Sequence, residues 1–465
     1  MTEVVVVGAG PAGLVTSMAL AAYDVDVLLV DKRDQLSTVS RALAFSTRSM
    51  ELLRGWGLEE RVRAEAADVR LRAWVSPSLT AAQGTEMPLG FPDDHQLSRL
   101  TPAPPAWVAQ SRVEPLLLDL LLRRPSVTVR RGVEFVALGT DGEGVTVSLR
   151  GRQGSVEAVR PRYVVGADGA HSPVRTGLRI GMDGAGEPAE YHRVEFTAAL
   201  GPVVGDRRYG LYVVTNPDAN GVLAPHGRGD VWGFSWEWRP GQPRLIDEGE
   251  EALIEHVRTA VGVPDLSVTV ERVSTFGFAA QLAERYREGV CFLAGDAAHR
   301  MTPRGGTGMN TAVQDALDLG WKLGWVLRGW ATPTLLDSYE TERRPVGRHN
   351  VERSASPSGA RSEGDDALVW DLNGRLTHHW VRPGVSTLDL VGPGLTLLTG
   401  PKADGWRERI DELDARLPVA LHTLSPEAAE ALDLTPRGAV LVRPDAKPVA
   451  SWTAPALITC DLPLR

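Results

Sequence analysis

The sequence predicts an α/β protein in which a parallel sheet is interrupted by an antiparallel-sheet insertion and followed by a small α/β tail. Three observations predict it. Val4 to Val7 runs directly into Gly8-Ala9-Gly10-Pro11-Ala12-Gly13, which opens a helical pattern reaching about Tyr23, and Val25 to Val30 then reads as a second strand. Strand and helix patterns alternate up to about residue 68, the texture of a parallel sheet. Between Val69 and Trp107 the chain turns Pro-rich and irregular, and over 178–281 it carries strands of alternating apolar and aromatic residues, including Tyr209 to Val214 and Val231 to Trp238.

Taken in chain order, the glycine-rich turn carries the strongest local signal. Gly8, Gly10 and Gly13, with small Ala12 among them, allow a tight bend and close backbone approach, and the helix they open offers free N–H groups and partial positive charge to a pyrophosphate. Asp31, with Lys32 beside it, ends the second strand where an acidic side chain would accept hydrogen bonds from an adenosine ribose. The expected ligand is a dinucleotide, FAD or NAD. Gln110 to Leu122 returns to helical spacing. Two further strand-to-turn segments follow: Tyr163 to Arg175, containing Asp168-Gly169, and Val290 to His299, containing Gly295-Asp296. The second continues through Pro303-Arg304-Gly305-Gly306-Thr307-Gly308-Met309-Asn310 into a long helix through Ala312 to Trp330. Such a loop offers N–H donors and a positive dipole end to a group on which negative charge collects. Thr307 and Asn310 also read as ordinary capping residues, and His299 as packing beside its turn. The Ser-rich stretch Arg353 to Asp366 reads as a linker, and Ser386 to Arg465 as a small separate α/β unit.

Composition narrows the function classes. Only Cys291 and Cys460 occur, far apart and in no CxxC or Cys/His spacing, so a disulfide scaffold, a zinc site and a dithiol redox centre all lose support. Redox chemistry here has to be carried by something bound. The net charge is −9 and the basic residues are dispersed among acidic ones, which argues against a nucleic-acid partner. The opening has no basic leader and no apolar stretch reaches spanning length, so no membrane is expected and the predicted location is cytoplasmic.

The three ordered motifs resemble the flavoprotein aromatic hydroxylases that share the para-hydroxybenzoate hydroxylase fold, and the likeness runs over nearly the whole chain. It implies a Rossmann-like FAD-binding domain (1–68, 108–177 and 282–370), an inserted antiparallel-sheet substrate domain (69–107 and 178–281) and a C-terminal thioredoxin-like domain (380–465) lacking CxxC. FAD is then the cofactor, NADPH or NADH a transient reductant and O2 a substrate. The likeness implies that oxygen adds at the flavin C4a carbon and that the terminal oxygen of the hydroperoxide passes to an electron-rich ring. Carried over by motif, Asp296 meets the ribityl chain, Asp168-Gly169 serves FAD placement and the nicotinamide encounter, and Arg41 and Gln110 lie near the flavin, with Arg112 an alternative to Gln110. Pro303, Gly305, Gly306 and Thr307 are the loop most involved in the reaction, continuing through Gly308, Met309 and Asn310.

On the substrate side, Trp232, Phe234, Trp236 and Trp238 alternate along one strand and so share a face, which either stacks on a flat aromatic substrate or forms sheet core. Tyr212 and His226 are the polar candidates for substrate contact, and no activating base is identified. The expected substrate is a phenolic or polyketide-type aromatic small molecule, acted on by a monomer or homodimer. Baeyer–Villiger insertion or epoxidation would use the same loop, and a non-catalytic FAD-binding protein would keep the fold. Flavin-dependent halogenation is disfavoured. Trp236-Glu237-Trp238-Arg239-Pro240 lacks the Ile of the related motif, and no lysine occurs from Arg33 to Trp321.

Overall fold

The computed structural model describes residues 2–141, 144–186, 190–356, 364–412 and 417–464. The expected linker falls partly outside them, at 357–363. A six-stranded sheet forms the first layer, in the order Arg287–Glu288, Cys291–Leu293, Tyr163–Gly166, Val4–Val7, Val27–Asp31, Val127–Arg131. All its pairs are parallel except the one at the Arg287–Glu288 edge. Val4 to Val7 are all buried, as a parallel strand covered on both faces requires, which is why the run is uniformly apolar instead of alternating. The helix Pro11–Ala21 covers the sheet and packs against Gly308–Arg328, a helix buried almost all round, with Trp321 and Trp325 inside.

The second layer is a seven-stranded sheet ordered Thr269–Gly277, Glu190–Thr197, Val231–Trp238, Gly221–Pro225, Tyr209–Val214, Arg70–Ser76, Thr85–Pro88. It draws strands from both irregular stretches. The sheet is not purely antiparallel, because Tyr209–Val214 runs parallel to Arg70–Ser76. Those two strands are separated by the return of the chain through the first sheet, so no hairpin imposes opposite directions on them. The helix Glu250–Val261 covers one face of this sheet and closes a core of its own around Phe196, Phe234 and Val257. Met182–Ala185 and Ala280–Ala283, which carry the chain between the two layers, pair with each other and with His299–Arg300.

The tail forms a four-stranded sheet ordered Val419–Thr423, Leu395–Thr399, Ala439–Val442, Pro448–Trp452, with the first pair parallel and the others antiparallel. It is less separate than its sequence suggests. Leu395, Leu397, Trp406 and Leu441 belong to the same buried cluster as the first sheet. Tyr23 and Trp325 both donate to the Pro393 carbonyl oxygen, at 3.0 and 2.9 Å. The closing residues return to the first layer, where Thr332 N–H donates to Pro463 and Ala331 bridges Leu464. Among the described residues no helix is long and apolar enough to cross a membrane.

Candidate cofactor and substrate site

The turn after Val4–Val7 is built from backbone. Gly8 sits at φ +104°, a conformation that L side chains rarely adopt, and a Cβ there would overlap the Ala167 carbonyl oxygen. A Cβ at Gly13 would overlap the carbonyl oxygen of Gly8 itself. The helix Pro11–Ala21 starts at Gly10 with no side-chain cap, so its first N–H groups are left for an anion. Asp31 braces the turn, accepting from the N–H groups of Ala9 at 2.7 Å and Arg33 at 2.8 Å, with Lys32 exposed beside it. These features fit a dinucleotide pyrophosphate and its ribose on geometry alone.

The other expected cofactor residues divide into those left accessible near the glycine-rich turn and those bonded into its surroundings. Asp296 is half-buried in the Gly295–Ala297 turn and lies 4.0 Å from the exposed Arg41 guanidinium. Ala12 packs against Gly295, which sets that turn beside the glycine-rich one. Asp168 is consumed locally: it accepts from the Ser172 hydroxyl and, at 2.9 Å, from Val174 N–H, fixing the start of Pro173–Gly177. Burial pushes its carboxyl up, and the Ser172 and Val174 bonds oppose the shift. Its contribution is to shape the wall that Gly8 leans on. Gln110 N–H donates to Ala42 at 2.9 Å, next to Arg41, and its side-chain amide donates to Glu114 at 2.7 Å.

In the loop 303–310, Gly306 N–H donates to the Pro303 carbonyl at 3.1 Å, and Thr307 begins Gly308–Arg328 without a side-chain cap. The Thr307 hydroxyl points to the Met301 sulfur instead, at 3.6 Å, while Met309 is half-buried against the main core. Asn310 caps nothing: it accepts from Ser46 N–H (2.9 Å) and the Ser49 hydroxyl (2.7 Å), and donates to the carbonyls of Ala44 (3.1 Å) and Gly306 (3.0 Å). That clamp ties the loop to Ala44–Phe45. Against the loop lies an open pocket lined by Leu89, Phe91, Pro92, Trp370 and Asp371. Asp371 accepts from the Ser46 hydroxyl at 2.6 Å and Gln314 at 3.0 Å, and burial pushes its carboxyl up.

His299 is a support residue. It pairs with Asp315 at 2.6 Å, fully buried, and Asp315 also takes the Arg343 Nε–H at 2.8 Å. Burial pushes the Asp315 carboxyl up, but His299 and Arg343 outweigh it and hold it below the ordinary range. This buried charge set stands behind Gly295 and the long helix. Its three members come from separate elements, and no local motif marks it.

The substrate candidates need correction. Trp232, Phe234 and Trp236 do share a face, but it is the face packed on Glu250–Val261, where Phe234 and Trp236 meet His256 at 5.2 and 4.7 Å between ring centres. Trp238 stacks on His192 at the edge. Tyr212 lies in the same core, donating its hydroxyl to the Arg207 carbonyl at 2.7 Å. Alternation fixed the shared face but not which face was inside. His226 lies on the opposite face, its ring over Gly233, and it is 5% exposed with Nε2 unbonded among the described residues. Burial, then Arg193 and Arg112, lower its imidazole to about 4, so it is neutral at working pH. Glu195, across the strand pair from Gly233, is 7% exposed and also has an unbonded oxygen. Half-buried Arg193 donates to the Ser235 hydroxyl at 3.0 Å and to the Ser40 carbonyl, bringing this face against the Arg41 segment. Alongside lies an apolar seam of Leu43, Leu71, Leu89, Phe91 and Leu211 around Trp107.

The parallel sheet, the pyrophosphate-type turn and the uncapped helix start beside a pocket define a dinucleotide-binding protein. The chain belongs to the FAD binding domain family, whose model matches residues 1–354. It is 32% identical to the tetracenomycin A2 monooxygenase-dioxygenase of Streptomyces glaucescens, over 97% of this chain and 93% of that one. Among solved structures it resembles aklavinone-11 hydroxylase in a ternary complex with FAD and aklavinone (TM-score 0.84, 30% identity, 98% and 96% coverage). It also resembles the flavin-dependent monooxygenase PieE in complex with FAD and substrate (TM-score 0.87, 27% identity, 97% and 96% coverage). The protein is an FAD-dependent monooxygenase.

Proposed function

We propose that this monooxygenase hydroxylates a phenolic, polyketide-type aromatic molecule with O2, drawing electrons from NADPH or NADH. The observation that carries the reading is an apolar strip of Leu43, Leu71, Leu89, Phe91 and Leu211, which meets the 303–310 loop through Leu89 and Phe91, together with the buried, unbonded Glu195 and His226 gathered about Gly233. Residues 1–68, 108–177 and 282–370 hold FAD, 69–107 and 178–281 form the substrate side, and 380–465 buttress the first layer without dithiol chemistry. The Gly8–Gly13 turn takes the pyrophosphate and Asp31 the ribose hydroxyls, with Asp296 and Arg41 along the chain between. The N–H groups opening Gly308–Arg328 stabilise negative charge on the flavin edge. FAD, when bound, supplies the electron transfer and the activation of O2. The polypeptide excludes water, holds the ring and accepts a hydrogen bond from its hydroxyl. Burial raises the Glu195 carboxyl above the ordinary range, with Arg193 and Arg272 pulling it back, and a buried unbonded carboxylate oxygen is a strong acceptor for a phenol. The chain is similar to enzymes named for tetracenomycin and aklavinone and to one named a polyketide hydroxylase, which supports that class.

The test is NADPH and NADH oxidation by the FAD-loaded protein with 1,8-dihydroxyanthraquinone and related phenols, with products checked by mass. Substrate-stimulated oxidation with gain of one oxygen atom is expected; a flavoprotein that gives no oxygenated product from any phenol counts against the reading. Glu195→Gln is expected to raise KM for the dihydroxy compound roughly tenfold or more, the scale of losing a charge-assisted hydrogen bond. The same variant should discriminate less against the dimethyl ether, which has no hydroxyl to donate.

A further inference from the structure

Glu114 is a carboxyl buried beside the helix that the glycine-rich turn opens. The helix Gln110–Leu121 brings Gln110 and Glu114 onto one face a single turn apart. Glu114 is 3% exposed, set among Pro11, Val15, Phe45, Val113, Leu117 and Val313, and the Gln110 amide is its one hydrogen-bond partner among the described residues. Pro11 opens the pyrophosphate-type helix, and Gln110 is tied through its backbone to Ala42, next to Arg41. The pair is therefore set between the helix of the pyrophosphate-type turn and the segment carrying Arg41, the two elements assigned above to FAD. An amide has two unlike ends. A carboxylate can only accept, so it takes the NH2 of Gln110 and leaves the carbonyl free, whereas a protonated carboxyl can donate to that carbonyl and leave the NH2 free.

We propose that Glu114 is a positioning residue whose proton decides whether Gln110 offers FAD an acceptor or a donor. Burial pushes the Glu114 carboxyl up to about 7, with the Gln110 bond opposing, Asp31 reinforcing and Arg33 and Arg41 opposing, so the exchange falls within the working pH range. The protonated form removes a negative charge from near the phosphates and presents the NH2, and both changes favour the anionic cofactor. FAD therefore binds more tightly below pH 7 than above it.

The inference rests on the FAD assignment, and its test reads affinity, not turnover. FAD is titrated into the apoprotein at pH 6 to 8 and followed by quenching of flavin fluorescence. The wild type is expected to lose about tenfold in affinity across that range, corresponding to about 1.4 kcal/mol. Glu114→Gln, which keeps the shape and cannot ionise, is expected to show a much flatter profile. Gln110→Leu, which leaves the carboxyl but removes the amide, is expected to show a reduced slope. A pH dependence that survives unchanged in Glu114→Gln overturns the proposal, as does a wild-type affinity indifferent to pH. A protein that binds no FAD at any pH overturns the cofactor assignment itself, a result distinct from either.

Discussion

Gly13→Ala is expected to leave a folded protein that purifies colourless, with FAD affinity reduced by two orders of magnitude or more. The added methyl has nowhere to go, because its position coincides with the carbonyl oxygen of Gly8, which is backbone and cannot rotate aside. Gly8 has little room to give either, since a Cβ on it would already overlap the Ala167 carbonyl oxygen just past the neighbouring strand Tyr163–Gly166. The strain is relieved only by moving the helix Pro11–Ala21 outward, which takes its uncapped N–H groups away from the pyrophosphate. Overpacking at such a site costs about 1–3 kcal/mol, and misplaced N–H donors add to the loss, which together give the hundredfold. The measurements are flavin absorbance of the purified protein, FAD titration of the apoprotein, and far-UV circular dichroism to establish that both sheets remain. A yellow Gly13→Ala protein with unchanged affinity would mean that this turn does not set FAD binding.

What could be read in the sequence was what is local. Strand, glycines, helix and Asp31 lie within about thirty residues, and backbone sterics fix their arrangement without help from the rest of the chain. The loop 303–310 was legible for the same reason, although Asn310 works as a clamp on Ala44–Phe45 and not as a cap. The aromatic strand was only half legible. Period-two alternation puts Trp232, Phe234 and Trp236 on one face, but which face is inside depends on where Glu250–Val261 packs. Glu195 and Arg193 gave no signal, because a charged residue on a strand normally faces water, and the Ser40 segment that takes the Arg193 guanidinium lies far away in the sequence. Glu114 could have been noticed: an acid one turn after Gln110, on the apolar side of its helix, is out of pattern.

Arg443→Met is expected to cost about 3–5 kcal/mol, the usual penalty for leaving buried charge uncompensated, and to loosen the tail from the FAD-binding layer. Arg443 binds Glu342 in a fork at 2.9 and 2.6 Å and Asp445 at 3.0 and 2.6 Å, with its guanidinium over Trp321. Lys322 pairs with Asp318 at 2.7 Å and Glu342 at 3.1 Å, and Lys447 reaches Glu342 at 3.3 Å. Three carboxylates and three cations thus join the long helix, its neighbour Asp337–Ala355 and the tail sheet, and the three acids are close enough to resemble a metal site that these cations already neutralise. The sign of the pH dependence follows. Burial pushes the Glu342 and Asp445 carboxyls up, but Arg443 and the lysines outweigh it and hold both below the ordinary range. Their stabilisation is therefore present above their unfolded values near 4 and is lost as pH falls through the depressed folded ones. Asp318 is the exception, raised by burial despite Lys322, so it is protonated first. A thermal melt followed by flavin fluorescence should show the Arg443→Met deficit fully at pH 7 and shrinking below about pH 4. Arg443→Met with Asp445→Leu removes one charge of each sign and should recover much of the loss. If the double variant melts no higher than the single one, the deficit comes from packing lost over Trp321, and charge balance does not hold the tail in place.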